Sequence, residues 1–173
     1  MVEQTAERSW PKIAAIIVPA IVLAGSASGW LSNSGFSNDW FVGLLKPFFM
    51  PPGWLFGVAW TILYALLGLA VAMILALPPS DRRRHALILF FVQLAINFAW
   101  SPVFFAAHDI GLATMLIFVM VVIAAAAAGQ FFRLRPLAGA LMLPYLAWLC
   151  FAAALMGAIE QLNPGAATSL LGL

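Results

Sequence analysis

Aromatic and amide side chains recur along single faces of three apolar segments, and these are the residues that could do chemistry. In chain order the sets are Trp60, Thr61 and Tyr64; Gln93, Asn97, Trp100 and Ser101; and Tyr145, Trp148, Ala152 and Leu155. Most members lie three or four residues apart, so an α-helix would place each set on one face. Large rings with a few fixed hydrogen-bonding groups are typical of sites for flat, largely apolar small molecules. For Asn97, contact with a ligand and simple hydrogen bonding between helices are equally good interpretations.

Acid–base and metal chemistry have little support in this sequence. Asp109 and Glu160 lie at the ends of apolar segments, and no cluster of His, Cys and carboxylates has metal-ligand spacing. Cys150 could ligate haem iron as a thiolate, but packing explains it better because a buried apolar thiol ionises poorly. We therefore expect a binding site that needs no metal and no required cofactor. The three-arginine run at 82–84 is better explained as a signal of membrane topology than as a lipid-headgroup or nucleic-acid patch, so no nucleic-acid partner is expected.

The elements that position these residues must be membrane-spanning helices. Hydrophobic residues make up 65% of the chain and charged residues only 8%, against about 25% charged residues in a soluble domain. Five runs reach the length of about 20 residues that a helix needs to cross a bilayer. They are 13–31, 54–77, 86–105, 110–132 and 137–162. The sequence predicts an all-α integral membrane protein with one five-helix transmembrane domain over 13–162, a tail over 1–12 and another over 163–173.

The first loop and the basic residues complete the predicted topology. Residues 32–52 form a loop much longer than the other connections, and a long loop in a small compact protein is usually functional, which predicts a lid.

Seven lysines and arginines fall at one end of a five-helix layout and only Lys46 at the other. That bias places the N-terminus in the cytoplasm and favours a bacterial inner membrane, with the outer membrane as the alternative.

Small residues in the first segment offer a helix contact. Gly25 and Gly29 form a GxxxG pattern, which allows two helices to approach closely. A homodimer contact and packing inside the monomer are equal alternatives for this pattern.

Four ordered motifs give the chain a family resemblance. They are Lys46-Pro47 with Pro51-Pro52, Trp60 to Tyr64, Gln93 to Ser101 with Phe104-Phe105, and Pro144 to Trp148 with Phe151-Ala152. Over residues 38–163 the chain resembles the translocator protein (TspO/MBR) family, also called tryptophan-rich sensory proteins or peripheral-type benzodiazepine receptors.

The resemblance implies a function and a set of site residues. It implies a membrane receptor for porphyrins such as protoporphyrin IX and haem, often a homodimer, acting in tetrapyrrole homeostasis or stress signalling; sterols, other lipids and benzodiazepine-site drugs are further ligands of the family. The ligand-binding residues, carried over by position or assigned from the aromatic stripes, are Phe41, Trp60, Tyr64, Asn97, Trp100, Tyr145, Trp148 and Ala152. Two alternatives follow: a light-dependent porphyrin-degrading enzyme that uses Trp60 and Trp148, and a transporter of porphyrin, lipid or sterol.

Two departures from the family pattern bear on these expectations. Where the family has Lys-Pro-x-Trp, this chain has Lys46-Pro47-Phe48-Phe49, so the lid keeps a ring but loses an indole N–H. No basic residue follows Tyr145, so the sterol motif of animal members is missing, which lowers the expectation that a sterol binds.

Overall fold

A computed structural model gives the fold of residues 9–166, and that part of the chain is helical with no β-strand. In chain order the α-helices are α1 Trp10–Leu31, α2 Asp39–Gly43, α3 Gly53–Leu75, α4 Asp81–Ser101, α5 Ile110–Leu134, α6 Pro136–Leu141 and α7 Leu143–Leu162. Five spans are long and apolar enough to cross a membrane: α1, α3, α4 with the turn that follows it, α5, and α6 with α7. The predicted five-helix integral membrane fold is confirmed. The predicted tails over 1–12 and 163–173 fall largely outside the described residues.

Close packing of α1 on α3 depends on two glycines that leave no room for a side chain. A Cβ at Gly68 would lie 2.8 Å from the Cα of Val18, so the two helix backbones nearly touch there. A Cβ at Gly25 would overlap the Tyr64 ring. Of the two alternatives for the GxxxG pattern, Gly25 therefore takes part in packing within the monomer. Gly29 faces Ser34 of the same chain.

A π-helical turn at Pro102–Ala106 extends the third span beyond α4. Proline has no N–H, so Pro102 leaves the carbonyl of Phe98 without its usual helical partner. The Ser28 hydroxyl of α1 donates to that carbonyl at 2.6 Å. Because a free carbonyl is costly in lipid, this bond compensates for the proline and ties α1 to α4.

The fifth span is two helices, where the hydropathy pattern predicts one. A break at Met142 separates α6 from α7, and Pro144 follows in the first turn of α7. The short α6 packs against both α3 and α5, whereas α7 packs mainly against α5 and only slightly against α3. Consequently α3 and the fifth span are close at the end nearest α6 and less closely packed towards the first loop.

Arg83 and Ser80 stabilise the end of α3 and the start of α4. Arg83 donates from Nε to the carbonyl of Ile74 at 3.0 Å and from Nη2 to that of Leu75 at 2.9 Å, which caps the last turn of α3. The Ser80 hydroxyl accepts from the backbone N–H of Arg83 and begins α4 earlier than the apolar run indicates.

Candidate functional site

Four buried side chains form a hydrogen-bonded series, here the polar chain, that joins α3, α4 and α7. The Tyr64 hydroxyl donates to Asn97 Oδ1 at 2.8 Å, and Asn97 Nδ2 donates to the Tyr145 hydroxyl at 3.2 Å. The Tyr145 hydroxyl in turn donates to Gln93 Oε1 at 2.7 Å. Each member is at most 7% exposed. Such bonds in lipid are worth about 0.6–2 kcal/mol each, so the polar chain holds three spans in one register.

Both indoles that were expected deep in the bundle lie between α3 and α7. Trp60 of α3 lies 5.1 Å from the Tyr64 ring and 6.3 Å from the Tyr145 ring, centroid to centroid. Trp148 of α7 lies 5.9 Å from Phe56 of α3 and 5.5 Å from Phe151. We call these rings (Phe56, Trp60, Tyr145, Trp148 and Phe151) the aromatic seam. Trp60 and Trp148 are only half buried, so part of each indole face is free of protein contact.

Phe41 and Trp100 belong to a second group of rings, the loop cluster. This cluster comprises Phe36, Trp40, Phe41, Trp100, Phe104 and Phe105. Phe41 is 4% exposed, and the Trp100 ring stacks on Phe104 at 5.1 Å while its Nε1 donates to the carbonyl of Ala113 in α5. The structure therefore places Trp100 against α5 and the loop, in ring contacts separate from those of Trp60 and Trp148.

Thr61 takes a position that helical periodicity does not indicate, and Trp40 packs within the loop cluster. Thr61 is exposed, and its hydroxyl donates to the carbonyl of Gly57 in its own helix, so it leaves the face shared by Trp60 and Tyr64. Trp40, which its location suggests as a membrane-interface residue, stacks on His108 at 4.3 Å and packs on Phe104. Ala152 is half buried and packs against the core beside Phe151.

The first loop is fastened to the bundle at three places. Asn38 Nδ2 donates to the carbonyl of Phe105 at 3.0 Å, and its Oδ1 caps the short helix α2 at Phe41. Asn163, just after α7, accepts from the N–H of Leu45 at 2.8 Å and donates to the Leu45 carbonyl at 2.9 Å. The Phe49 ring lies 6.3 Å from Phe151, so the loop crosses the end of the aromatic seam.

Lys46 organises the loop from within. Its Nζ donates to the carbonyls of Phe41, Val42 and Leu44 at 2.7, 3.0 and 2.9 Å, and lies 4.7 Å from the centre of the Phe41 ring. Partial burial lowers the pKa of the amine from its ordinary value. The three carbonyl oxygens and the ring face offset that desolvation by stabilising the ammonium form.

The side chains at this site offer aromatic stacking and hydrogen bonding. No group of three or more His, Cys, Asp or Glu residues occurs in the described part of the chain that could hold a metal ion. The aromatic seam offers ring faces for stacking, and the polar chain beside it contains two phenols and two carboxamides that hydrogen-bond to one another. Sequence reasoning missed Phe56, although it lies four residues before Trp60, and Asn163, whose contacts arise only when the loop folds back. For Phe49 the sequence predicts a ring of the lid but not its contact with Phe151.

Comparison with known proteins places these features in a family. The TspO/MBR family model matches residues 15–162. The chain is 37% identical over 155 residues to the tryptophan-rich protein TspO of Archaeoglobus fulgidus, covering 88% of this chain and 97% of that one. It is 37% identical over 155 residues to the translocator protein of Sus scrofa (86% and 92% covered). It is also 38% identical over 126 residues to the tryptophan-rich sensory protein of Cereibacter sphaeroides (73% and 78% covered).

Proposed function

The chain belongs to the TspO/MBR family, and from that membership and the aromatic seam we propose that it binds porphyrins within the membrane. One observation carries the proposal: the half-buried indoles of Trp60 and Trp148 lie between α3 and α7, two helices that pack only slightly on each other. A flat tetrapyrrole would insert between α3 and α7 and stack on both indoles. The polar chain lies beside it, and because its members bond to one another, a polar edge of the ligand would bind there by replacing one of these bonds.

The first loop would act as the cover of this site. It crosses the end of the seam through Phe49 and is fastened to α7 through Leu45 and Asn163. A ligand that enters from the loop side must break these contacts first, so the loop sets the rate of exchange more than the affinity. With this cover the protein binds and retains a porphyrin, which suits a role in tetrapyrrole homeostasis or stress signalling.

The orientation that we propose follows the charges. The described spans place Lys12, Arg133 and the three arginines at 82–84 at one end and Lys46 at the other. The positive-inside rule then directs the loop and the binding site away from the cytoplasm, with the inner membrane as the favoured location.

The direct test is a titration of the purified protein in mild detergent with protoporphyrin IX. We expect saturable quenching of tryptophan fluorescence with one ligand per chain, because the porphyrin would lie against two indoles. Retention of the pigment by the protein in ultrafiltration provides an independent readout. Quenching that rises linearly with pigment and matches that of free tryptophan in the same micelles would refute specific binding.

Loss of the pairing between Asn163 and Leu45 should speed ligand release. Alanine at Asn163 removes the two hydrogen bonds to Leu45, together with one to the carbonyl of Ile159 in its own helix. The two bonds to the loop are worth about 0.5–1.5 kcal/mol each, so the dissociation rate of protoporphyrin should rise about tenfold with a smaller change in the extent of binding. Stopped-flow displacement measures this rate. Gln161→Ala is the matched control because Gln161 is exposed at the same helix end. Equal dissociation rates in the two variants would show that the loop does not control exchange.

A further inference from the structure

A groove with a volume of about 910 Å³ runs along the outer surface of α4, away from the aromatic seam. At one end it is lined by Ser80, Asp81, Arg83 and Arg84, and along its length by Leu87, Ile88, Phe91, Val92 and Ala95. Ile88, Phe91 and Val92 are 52%, 45% and 45% exposed within this monomer. The groove is thus charged at the end of a membrane span and apolar along the span itself.

The charged end of the groove carries a net positive charge. Three arginines and one aspartate leave a net charge of +2 over residues 81–85, with His85 neutral. Arg83 is used to cap α3, but Arg84 contacts only Asp81, at 3.4 Å, with side chains 68% and 87% exposed. An ion pair this exposed contributes little, so Arg84 can exchange the aspartate for another anion.

The dimensions of the groove match one leaflet. From Arg84 to Ala95 the helix rises about 16 Å at about 1.5 Å per residue. Half of the hydrocarbon core of a bilayer is about 15 Å thick. An acyl chain laid along Ile88, Phe91 and Val92 would therefore end near the bilayer midplane when its headgroup lies beside Arg84.

We propose that this groove binds one anionic phospholipid from the leaflet at this end of the bundle. The phosphate lies on Arg84, and an acyl chain covers the exposed face of α4. A second copy of the chain fits this face less well. A two-fold contact along α4 brings the arginines of both copies to the same end of the interface, where like charges repel.

Native mass spectrometry of the full chain, released from micelles with equal amounts of phosphatidylglycerol and phosphatidylcholine, tests the proposal. We expect one phosphatidylglycerol adduct to be retained in preference to phosphatidylcholine. Arg84→Gln should reduce this preference about fivefold, the equivalent of the ~1 kcal/mol that one arginine contributes near an anionic surface. Asp81→Asn removes the competing carboxylate and should increase the preference.

Two matched controls make the outcome decisive. Arg133→Gln removes an exposed arginine from the other loop at the same end, and Phe118→Ala removes an exposed ring from α5, as Phe91→Ala does from α4. We expect Arg133→Gln and Phe118→Ala to retain the adduct, and Phe91→Ala to lose it. Equal retention of both lipids, or equal losses in Arg84→Gln and Arg133→Gln, would overturn the proposal. So would a Phe91→Ala variant that changes the oligomeric state but keeps the adduct, which would assign this face to a second copy.

Discussion

Alanine at both Trp60 and Trp148 is expected to raise the Kd for protoporphyrin IX by about 5- to 150-fold. Lipid tails are as apolar as side chains, so burial of area adds little to binding inside a bilayer. The affinity must come from stacking, at about 0.5–1.5 kcal/mol per ring. Two rings then supply about 1–3 kcal/mol, and each 1.4 kcal/mol changes Kd tenfold. Ultrafiltration with absorbance detection measures Kd without relying on the fluorescence of the residues removed.

Trp54→Ala and Trp30→Ala are the controls for this experiment. Their side chains are 69% and 81% exposed in the monomer and lie outside the aromatic seam, so their removal should leave Kd unchanged. Circular dichroism checks that the double variant remains helical. A Kd within twofold of that of the parent, in a folded double variant, would show that the indoles do not hold the ligand.

Alanine at both Gly25 and Gly68 is expected to lower the stability of the bundle by about 2–6 kcal/mol and so to lower its Tm. At Gly68 the added Cβ meets the backbone of Val18 at 2.8 Å, and backbone yields only if α1 separates from α3. At Gly25 it overlaps the Tyr64 ring, which must move and give up its bond to Asn97. Overpacking costs about 1–3 kcal/mol at each site, so the pair approaches the whole stability of a typical domain, about 5–15 kcal/mol. Thermal unfolding in detergent, followed by circular dichroism, measures the effect.

Gly129→Ala and Gly157→Ala provide the matched comparison, because nothing lies within 4 Å of a Cβ at either position. Alanine is the better helix former by about 1 kcal/mol, so their Tm values should be equal to or above that of the parent. A Gly25→Ala/Gly68→Ala variant as stable as these would contradict the close contact of α1 with α3. The single Gly25→Ala variant should also weaken porphyrin binding, since Tyr64 belongs to the polar chain.

Hydropathy alone could predict the five spans, because length and apolar composition are properties of each segment by itself. The ends and interruptions could not be predicted in this way. Ser80 begins α4 five residues before the apolar run, since a cap acts through one hydroxyl. The break at Met142 and the π-helical turn after Pro102 depend on which neighbours satisfy the freed carbonyls. For Phe98 that neighbour is Ser28, 70 residues away in the chain.

Helical periodicity indicated the faces of the site residues but not their partners. Tyr64, Asn97 and Tyr145 share the interior as their spacing predicts. The two phenols donate to the amide oxygens of Asn97 and Gln93, partners on another span that periodicity does not identify. Trp100 lies on the predicted helix but reaches α5 through Ala113, since the crossing of α4 and α5 decides its neighbours.

Because the fifth span is interrupted at Met142, its two halves, α6 and α7, are held in place by different neighbours. The α6 half packs against α3 and α5, whereas α7 is held mainly by α5 and by the hydrogen bonds between Asn163, which follows it, and Leu45 of the first loop. A ligand bound between α3 and α7, as we propose, would therefore displace α7 about the break at Met142 and leave the other spans in place. We therefore expect the site to accept ligands of different widths, with an affinity that decreases gradually as the ligand becomes wider.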